Sequence, residues 1–292
     1  MKVGVVGLGR MGNAIALRLA SNGFEVSAWD RDAAARQRVD KKVATVDGPR
    51  AVAAESEIII SIISEDHGVR GLFTGKDGFL QADVTGKLFI EMSTLQPMTA
   101  RELLPLVESK GARLIDAPVL GSIPTVHEGK LFAMAGGRAA DIDRARPVLD
   151  KLTRRVMHMG PNGTGYAMKL AANIGLAAYI QAIAESLALG QRQGLDFEQM
   201  LEVLGETATA TPWLKGKLPA LRGEKGDTSL DIKTLRKDIM SAVATAALSG
   251  IGLPLSSGAL ASLSAAVTQG HGDEDIGAIP GFFRKQMGQS FD

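Results

Sequence analysis

The sequence predicts a doubly wound, mostly parallel α/β domain joined by one long helix to an all-helical second domain. Three observations predict it. Short β-branched runs alternate with helical segments and glycine turns through the first half. From Gly165 to Gln193 one stretch reads only as a helix, about 40 Å long at about 1.5 Å per residue. Beyond it the β-branched runs disappear, and alanine, leucine and glycine dominate. With 292 residues, enough for two ordinary domains, the chain divides into 1–164, an interdomain helix 165–193, and 194–292.

The composition excludes several classes of function. Hydrophobic residues at 45% and charged ones at 22% allow sizeable cores and rule out a disordered type. A net charge of +1 gives no electrostatic reason to expect nucleic acid or a membrane surface as partner. With no cysteine there is no disulfide, thiolate metal site or cysteine nucleophile. The four histidines, His67, His127, His158 and His271, lack metal-ligand spacing, so no metal is expected. A strand begins directly after Met1, which leads us to expect a cytoplasmic protein.

Val3 to Val6 reads as a short apolar strand running into Gly7-Leu8-Gly9-Arg10-Met11-Gly12, and a helix follows with Ile15, Ala16, Leu19 and Ala20 on one face. This is G-x-G-x-x-G in the context its chemistry needs. Gly7 permits the tight turn, Gly9 lets backbone approach a pyrophosphate, Gly12 lets helix pack on strand, and the helix start supplies the anion site. A second strand, Glu25 to Trp29, ends at Asp30, where an acid for the adenosine ribose belongs, about twenty residues on. Arg31 could receive a 2′-phosphate or stack on adenine, with Asp30 and Asp32 flanking it with negative charge. Ile58 to Ile63 is a strand of the fully buried parallel type, and backbone at Ile62, Ile63 and Ser64 is expected to line the cofactor cleft before a helix begins at Ser64-Glu65-Asp66.

Leu88 to Met92 is the next strand, with Ser93 or Thr94 expected to cap the helix through Leu103, Leu104 and Val107. Arg113 to Ala117 and Leu131 to Ala135 read as strands. Between them Pro118 to Pro124 is a loop whose Gly121 and Ser122 could meet a ligand or merely turn. A helix from Ala140 to Leu152 and a strand from Val156 to Met159 lead to the turn at Gly160 to Gly165. The helix beyond is apolar almost all round, which predicts burial among other helices. Lys169, Asn173, Gln181 and Glu185 interrupt it too often for a membrane span. Lys169 and Asn173, four apart, share a face and are expected to pair with each other rather than with Glu185. Near a helix start the dipole and any desolvation favour a neutral amine, as a proton-transferring lysine requires. The same lysine could simply be solvated there. Helical segments follow at Phe197 to Leu204, Trp213 to Leu221, Leu230 to Leu248 and Gly258 to Val267, with breaks at Gly223 to Asp227 and Gly270 to Asp275.

Taken together, four motifs resemble the β-hydroxyacid dehydrogenase family, which contains 3-hydroxyisobutyrate dehydrogenases and short-chain aldehyde-acid reductases. They are the glycine turn at Gly7, Glu91-Met92-Ser93-Thr94 with Pro97, Asp116 to Ser122 with Glu128-Gly129-Lys130-Leu131, and Gly160-x-x-Gly163-x-Gly165-x-x-x-Lys169-x-x-x-Asn173. Lys237-Asp238 matches a fifth. The resemblance covers nearly the whole length. It implies a Rossmann domain, a connecting helix and an all-helical substrate and dimerisation domain, in a homodimer or homotetramer.

Carried over residue by residue, it makes Lys169 the catalytic acid/base and has Asn173 orient the substrate. Thr94 lies by the nicotinamide, Gly121 and Ser122 belong to the substrate loop, and Lys237 and Asp238 line the substrate side. One departure is Leu120, where the family usually has a serine that helps hold a substrate carboxylate. It implies a more apolar pocket. The family's NADP-preferring pattern is Asn-Arg-Thr or Asn-Arg-Ser; Asp30-Arg31-Asp32 keeps only the arginine, so NAD and NADP are both expected to serve, with a lean to NAD.

The expected function is hydride transfer between nicotinamide C4 and the carbinol or carbonyl carbon of a small hydroxy acid or aldehyde acid. The alternatives are a reductase of a less polar carbonyl or imine, though imine reductases of this architecture usually lack the lysine, and a non-catalytic nucleotide-binding module. A 6-phosphogluconate-type decarboxylating enzyme would need a doubled helical domain, for which 165–292 is too short. A desolvated lysine without a role would cost stability, which argues against the module.

Overall fold

The computed structural model describes residues 1–224, 228–286 and 288. The expected break at Gly223 to Asp227 therefore lies partly outside the described residues, at Lys225, Gly226 and Asp227. The chain forms two compact units, Met1–Leu170 and Ala171–Asp292.

The first unit runs β1 (Lys2–Val6), α1 (Arg10–Ser21), β2 (Glu25–Trp29), α2 (Ala33–Gln37), β3 (Ala44–Thr45), α3 (Pro49–Glu55), β4 (Ile58–Ser61) and α4 (Asp66–Thr74). It continues with β5 (Leu88–Glu91), α5 (Pro97–Ser109), β6 (Arg113–Asp116), β7 (Val119–Leu120), α6 (Ile123–Glu128), β8 (Leu131–Gly136), α7 (Ala139–Leu152) and β9 (Thr153–Gly160). The sheet order is β3-β2-β1-β4-β5-β6-β8-β7, with β9 on β8. Every pair from β3 to β6 is parallel, while β8 meets β6 and β7 antiparallel. Parallel central strands need cover on both faces, and β4 and β5 are buried at every residue. One core packs Ile15, Leu19, Val148 and Leu149 against one face; the other packs Phe73, Phe79, Leu103 and Val107 against the opposite face. Chain order reverses between β1 and its neighbours β2 and β4. Sheets of this kind bind ligands at that point, beyond the carboxyl ends of the strands.

α8 (Thr164–Arg192) crosses the boundary between the units. The second unit adds α9 (Phe197–Glu206), α10 (Pro212–Leu221), α11 (Ile232–Leu248), α12 (Pro254–Thr268) and α13 (Ile279–Gln286). Asp196, Thr211 and Asp231 cap α9, α10 and α11 with side-chain acceptors, which explains where those helices start. Ala177, Ile180, Ile183, Ala184 and Leu187 of α8 build this unit's core with Leu235, Ile239 and Leu263.

Several expectations are corrected. α8 is not buried all round: Met168, Ala171, Gly175, Ala182 and Leu189 are exposed and fall on one flank, with Met168 41% and Leu189 65% exposed. Its length and composition would suffice to cross a membrane, yet its other flank packs into a core and carries polar groups. The expected loop at Pro118 to Pro124 holds β7 and the start of α6. Neither Ser93 nor Thr94 caps α5; the N-cap is Gln96, whose N–H donates to Asp66 Oδ1 at 3.0 Å, so an acid from α4 serves the helix start.

Candidate functional site

The turn after β1 is built as the glycine spacing requires. Gly7 has φ +95°, and a Cβ on it would lie 2.1 Å from the Ile62 carbonyl oxygen; one on Gly12 would lie 1.8 Å from that of Gly7. Only glycine fits either place. A Cβ on Gly9 would meet nothing within 4 Å. Gly9 is also the N-cap of α1, brings no side-chain acceptor, and is followed by a first turn without acid. The helix start is therefore open to an outside anion, with positive dipole and backbone amides directed at it. These residues fit a dinucleotide pyrophosphate.

Around this turn the structure gathers the other residues expected at the cofactor. Asp30 Oδ2 accepts the Leu8 N–H at 2.6 Å and Asp30 Oδ1 accepts the Asp32 N–H at 2.8 Å, so the acid ties the glycine turn to its own loop. Arg36 Nη1 donates to the Asp30 carbonyl oxygen at 2.5 Å, while Arg31 is exposed beside it. Arg10 is exposed and Met11 half-buried. Ile62 and Ile63 are half-buried and Ser64 exposed, just past β4.

A second, buried cluster lies at the ends of β4, β5 and β6. The Glu91 carboxylate accepts from Ser61 Oγ at 3.3 Å, Ser93 N–H at 3.0 Å, Ser93 Oγ–H at 2.5 Å, and the Tyr166 hydroxyl. Ser93 Oγ in turn accepts the Ile63 N–H at 2.8 Å. Burial outweighs these hydrogen bonds and pushes the Glu91 carboxyl up to about 7. Burial, followed by the charges of Glu91 and Asp116, holds the Tyr166 phenol well above its ordinary range, so it stays a donor.

Asp116 Oδ1 accepts the Gly163 N–H at 2.7 Å and Oδ2 the Tyr166 N–H at 3.1 Å, fixing the start of α8; burial pushes this carboxyl up as well. The glycines of this turn follow from close approach. A Cβ on Gly165 would lie 2.3 Å from the Met134 carbonyl oxygen and 2.8 Å from Asp116 Oδ2, and Gly163 has φ +91°. Lys169 is half-buried three residues beyond Tyr166. Sequence reasoning quoted Glu91 and Asp116 within motifs but assigned them nothing, and it passed over Tyr166. A carboxylate at the end of a buried strand was the available signal.

The remaining expected residues are placed as follows. Gly121 has φ +141°, and a Cβ there would lie 2.5 Å from both Leu131 Cδ2 and Thr125 Oγ1, so the turn itself demands glycine. Ser122 precedes α6 and gives its N–H to Thr125 Oγ1 at 2.7 Å. Leu120 is 37% exposed, and Thr94 is half-buried. In the second unit Asn173, expected to pair with Lys169, gives its amide Nδ2–H to Asp238 Oδ2 at 2.7 Å, and Lys237 Nζ lies 2.6 Å from Asp238 Oδ1. Glu185 accepts from Gln181 Nε2 at 2.8 Å.

Known proteins match nearly the whole chain. The sequence pattern of the NAD binding domain of 6-phosphogluconate dehydrogenase matches residues 2–160, and that described as NAD-binding of NADP-dependent 3-hydroxyisobutyrate dehydrogenase matches residues 163–282. The 3-hydroxyisobutyrate dehydrogenase of Pseudomonas aeruginosa is 32% identical over 97% of this chain and 98% of its own. Glyoxylate/succinic semialdehyde reductase 1 of Arabidopsis thaliana is 29% identical over 96% and 97%. The structure of Mycobacterium tuberculosis 3-hydroxyisobutyrate dehydrogenase with L-serine superposes with a TM-score of 0.85 at 29% identity, over 97% of this chain and 99% of that one. The chain is an NAD(P)-dependent oxidoreductase and belongs to the β-hydroxyacid dehydrogenase family.

Proposed function

We propose that the protein interconverts a small hydroxy acid and its aldehyde or keto acid, with Lys169 as general acid/base. The observation that carries this reading is the half-buried Lys169 on a helix whose first turn is fixed by two buried carboxylates, in a chain whose relatives are named for such substrates. The bound nicotinamide supplies or accepts the hydride at C4. In oxidation the neutral Lys169 amine takes the hydroxyl proton as the carbinol carbon loses hydride, so the alcohol gives up one hydride, which carries both electrons, and one proton. In reduction the ammonium returns the proton to the carbonyl oxygen. Asn173 orients the substrate oxygen and is itself held by Asp238. Thr94 sits by the nicotinamide, Gly121 and Ser122 belong to the substrate loop, where the Ser122 N–H is already given to Thr125 Oγ1, and Lys237 adds charge on the substrate side. Both cofactors serve, with a lean to NAD from Asp30.

Leu120 supports a second reading, in which the substrate is a less polar carbonyl or imine. It is 37% exposed immediately before Gly121, where the family's usual serine would offer a hydroxyl. The test is a panel of L-serine, 3-hydroxyisobutyrate, glyoxylate, succinic semialdehyde, simple aldehydes and cyclic imines with each cofactor, followed by nicotinamide absorbance. Turnover of the acids alone supports the first reading; turnover confined to uncharged carbonyls or imines replaces it with the second. With the best substrate, Lys169→Ala should lower kcat by about three orders of magnitude while the Kd for nicotinamide changes little. Near-wild-type turnover would remove Lys169 from the mechanism.

A further inference from the structure

Glu91 and Tyr166 take no part in the chemistry itself, although they are among the most enclosed polar side chains of the first unit, each 1% exposed. Burying a carboxylate under four donors is costly, and an apolar pair of the same volume would fill the space at no such cost. What the carboxylate does is join three segments. Through Ser93 it holds the turn after β5, which carries Thr94; through Ser93 Oγ it fixes the Ile63 amide after β4; through the Tyr166 hydroxyl it reaches the first turn of α8. Asp116 holds the backbone of that same turn at Tyr166 N–H. Lys169 follows Tyr166 by three residues, less than one turn of helix.

We propose that Glu91 and Tyr166 are positioning residues that set the height and rotation of the α8 start, and thereby the reach of the Lys169 amine toward the segments carrying Ile63 and Thr94. The proposal rests on Lys169 as the acid/base. A helix start held only by backbone at Gly163 and Tyr166 can still slide or roll, because both bonds end on one side chain, Asp116. The phenol adds a second anchor on a different strand. A displacement of about 1 Å of an acid/base group costs about a hundredfold in turnover.

The carboxylate is placed so that a carboxamide can stand in for it. The donors on Oε2 are the Ser93 N–H and the Tyr166 hydroxyl, which a Gln oxygen accepts; those on Oε1 are the hydroxyls of Ser61 and Ser93, which can turn to accept from a Gln NH2. Glu91→Gln therefore keeps the lock and removes its titration. The other charged groups felt at Tyr166 are Asp116 and Asp66, neither of which either substitution alters.

The test is steady-state kinetics with the best substrate of the panel, on folded full-length variants checked by circular dichroism. Tyr166→Phe is expected to lower kcat ten- to a hundredfold with the nicotinamide Kd, from fluorescence titration, moved less than threefold. Glu91→Leu should lose as much, and Glu91→Gln should recover most of that loss while shifting or flattening any step in kcat between pH 6 and 8. In a Lys169→Ala background, Tyr166→Phe should cost nothing further, since there is no amine left to place. Turnover of Tyr166→Phe within threefold of wild type, or an undiminished cost in the Lys169→Ala background, overturns the proposal. If Tyr166→Phe does not fold, the Glu91→Leu and Glu91→Gln pair decides, because equal losses in both would show that placement by hydrogen bonding is not at work. An active Lys169→Ala enzyme would instead defeat the reading of Lys169, and the single variant shows that separately.

Discussion

The first unit contains two glycine-rich turns that lead from a strand into a helix, Gly7 to Gly12 and Gly160 to Gly165, and they use the same backbone resources to opposite ends. In the first, the Asp30 carboxylate takes only the Leu8 amide ahead of the helix, no side chain caps the helix start, and the space over Gly9 is open. In the second, the Asp116 carboxylate takes the amides of Gly163 and Tyr166, and backbone and carboxylate oxygens crowd Gly165. Both turns offer N–H groups to an anion. One awaits a ligand's anion, whereas the other is filled by an acid from a neighbouring strand and becomes an anchor. Glycine spacing reports that an anion is wanted; only the strand ends alongside tell who supplies it.

The largest effect that would break this comparison is steric. Gly165→Ala places a methyl 2.3 Å from a carbonyl oxygen and 2.8 Å from Asp116 Oδ2, neither of which can yield without moving β8 or the acid. It should destabilise the protein by about 3 kcal/mol or more, at the upper end of overpacking costs, read as a lower denaturant midpoint. A Cβ on Gly9, by contrast, meets nothing within 4 Å, so Gly9→Val should lower the midpoint far less than Gly165→Ala while abolishing nicotinamide binding. Equal stability of the two variants would mean that the second turn is not the filled one.

The next effect is on pH. Glu91 has a carboxyl raised to about 7 from an ordinary 4.5, and Asp116 is raised in the same direction, each by burial. Between these limits the native state holds a proton that the unfolded chain has released. The contribution is therefore full below about 4.5 and is lost as pH rises through about 7, up to about 3 kcal/mol from Glu91 at 1.36 kcal/mol per unit. Wild type minus Glu91→Gln, measured by denaturant unfolding at pH 5 and pH 8, should show wild type relatively more stable at the lower pH. A difference that is flat with pH would place Glu91 in contact with water and remove the contrast between a closed and an open turn.

The first of these turns was legible in the sequence because all its parts are local. Strand, Gly7-x-Gly9-x-x-Gly12, helix and Asp30 fall within the first 30 residues, and β2 was read to the residue. The second was not, because its partners are distant in sequence: Tyr166 and Glu91 are 75 residues apart, and Gly163 and Asp116 are 47 apart. Local reading also misassigned Ser93. A serine just before a helix resembles a cap, but the buried Glu91 two residues earlier competes for its hydroxyl and wins. Short elements escaped for lack of period: β3 and β7 have two residues each, and α2 has five. α13 escaped because Ile279-Pro280-Gly281 reads as a turn, although proline in a first helical turn is well tolerated. The apolar circumference of α8 was legible, but which flank the rest of the chain covers was not, since that depends on where α9 to α13 pack.

The smallest expected effect concerns how the open turn chooses its ligand, and it rests on Asp30. Both of its oxygens already accept an amide, Leu8 N–H on one and Asp32 N–H on the other, so the acid shapes the glycine turn in addition to the ribose contact expected of it. A 2′-phosphate would meet it with like charge, at a cost of about 1 to 3 kcal/mol by near-surface Coulomb estimates, which the exposed Arg31 can offset. In Asp30→Asn the repulsion goes, but a carboxamide has one acceptor oxygen and cannot serve both amides. The variant should therefore shift the ratio of kcat/KM toward NADP by about tenfold, equivalent to about 1.4 kcal/mol, while its affinity for NAD also falls. Arg31→Ala should weaken NADP far more than NAD, since it removes the cation and leaves the amide network intact. Kinetics of the two variants with both cofactors test this. If wild type prefers NADP by a thousandfold or more, Asp30 serves only to hold the turn, and the open site selects its ligand through Arg31 alone.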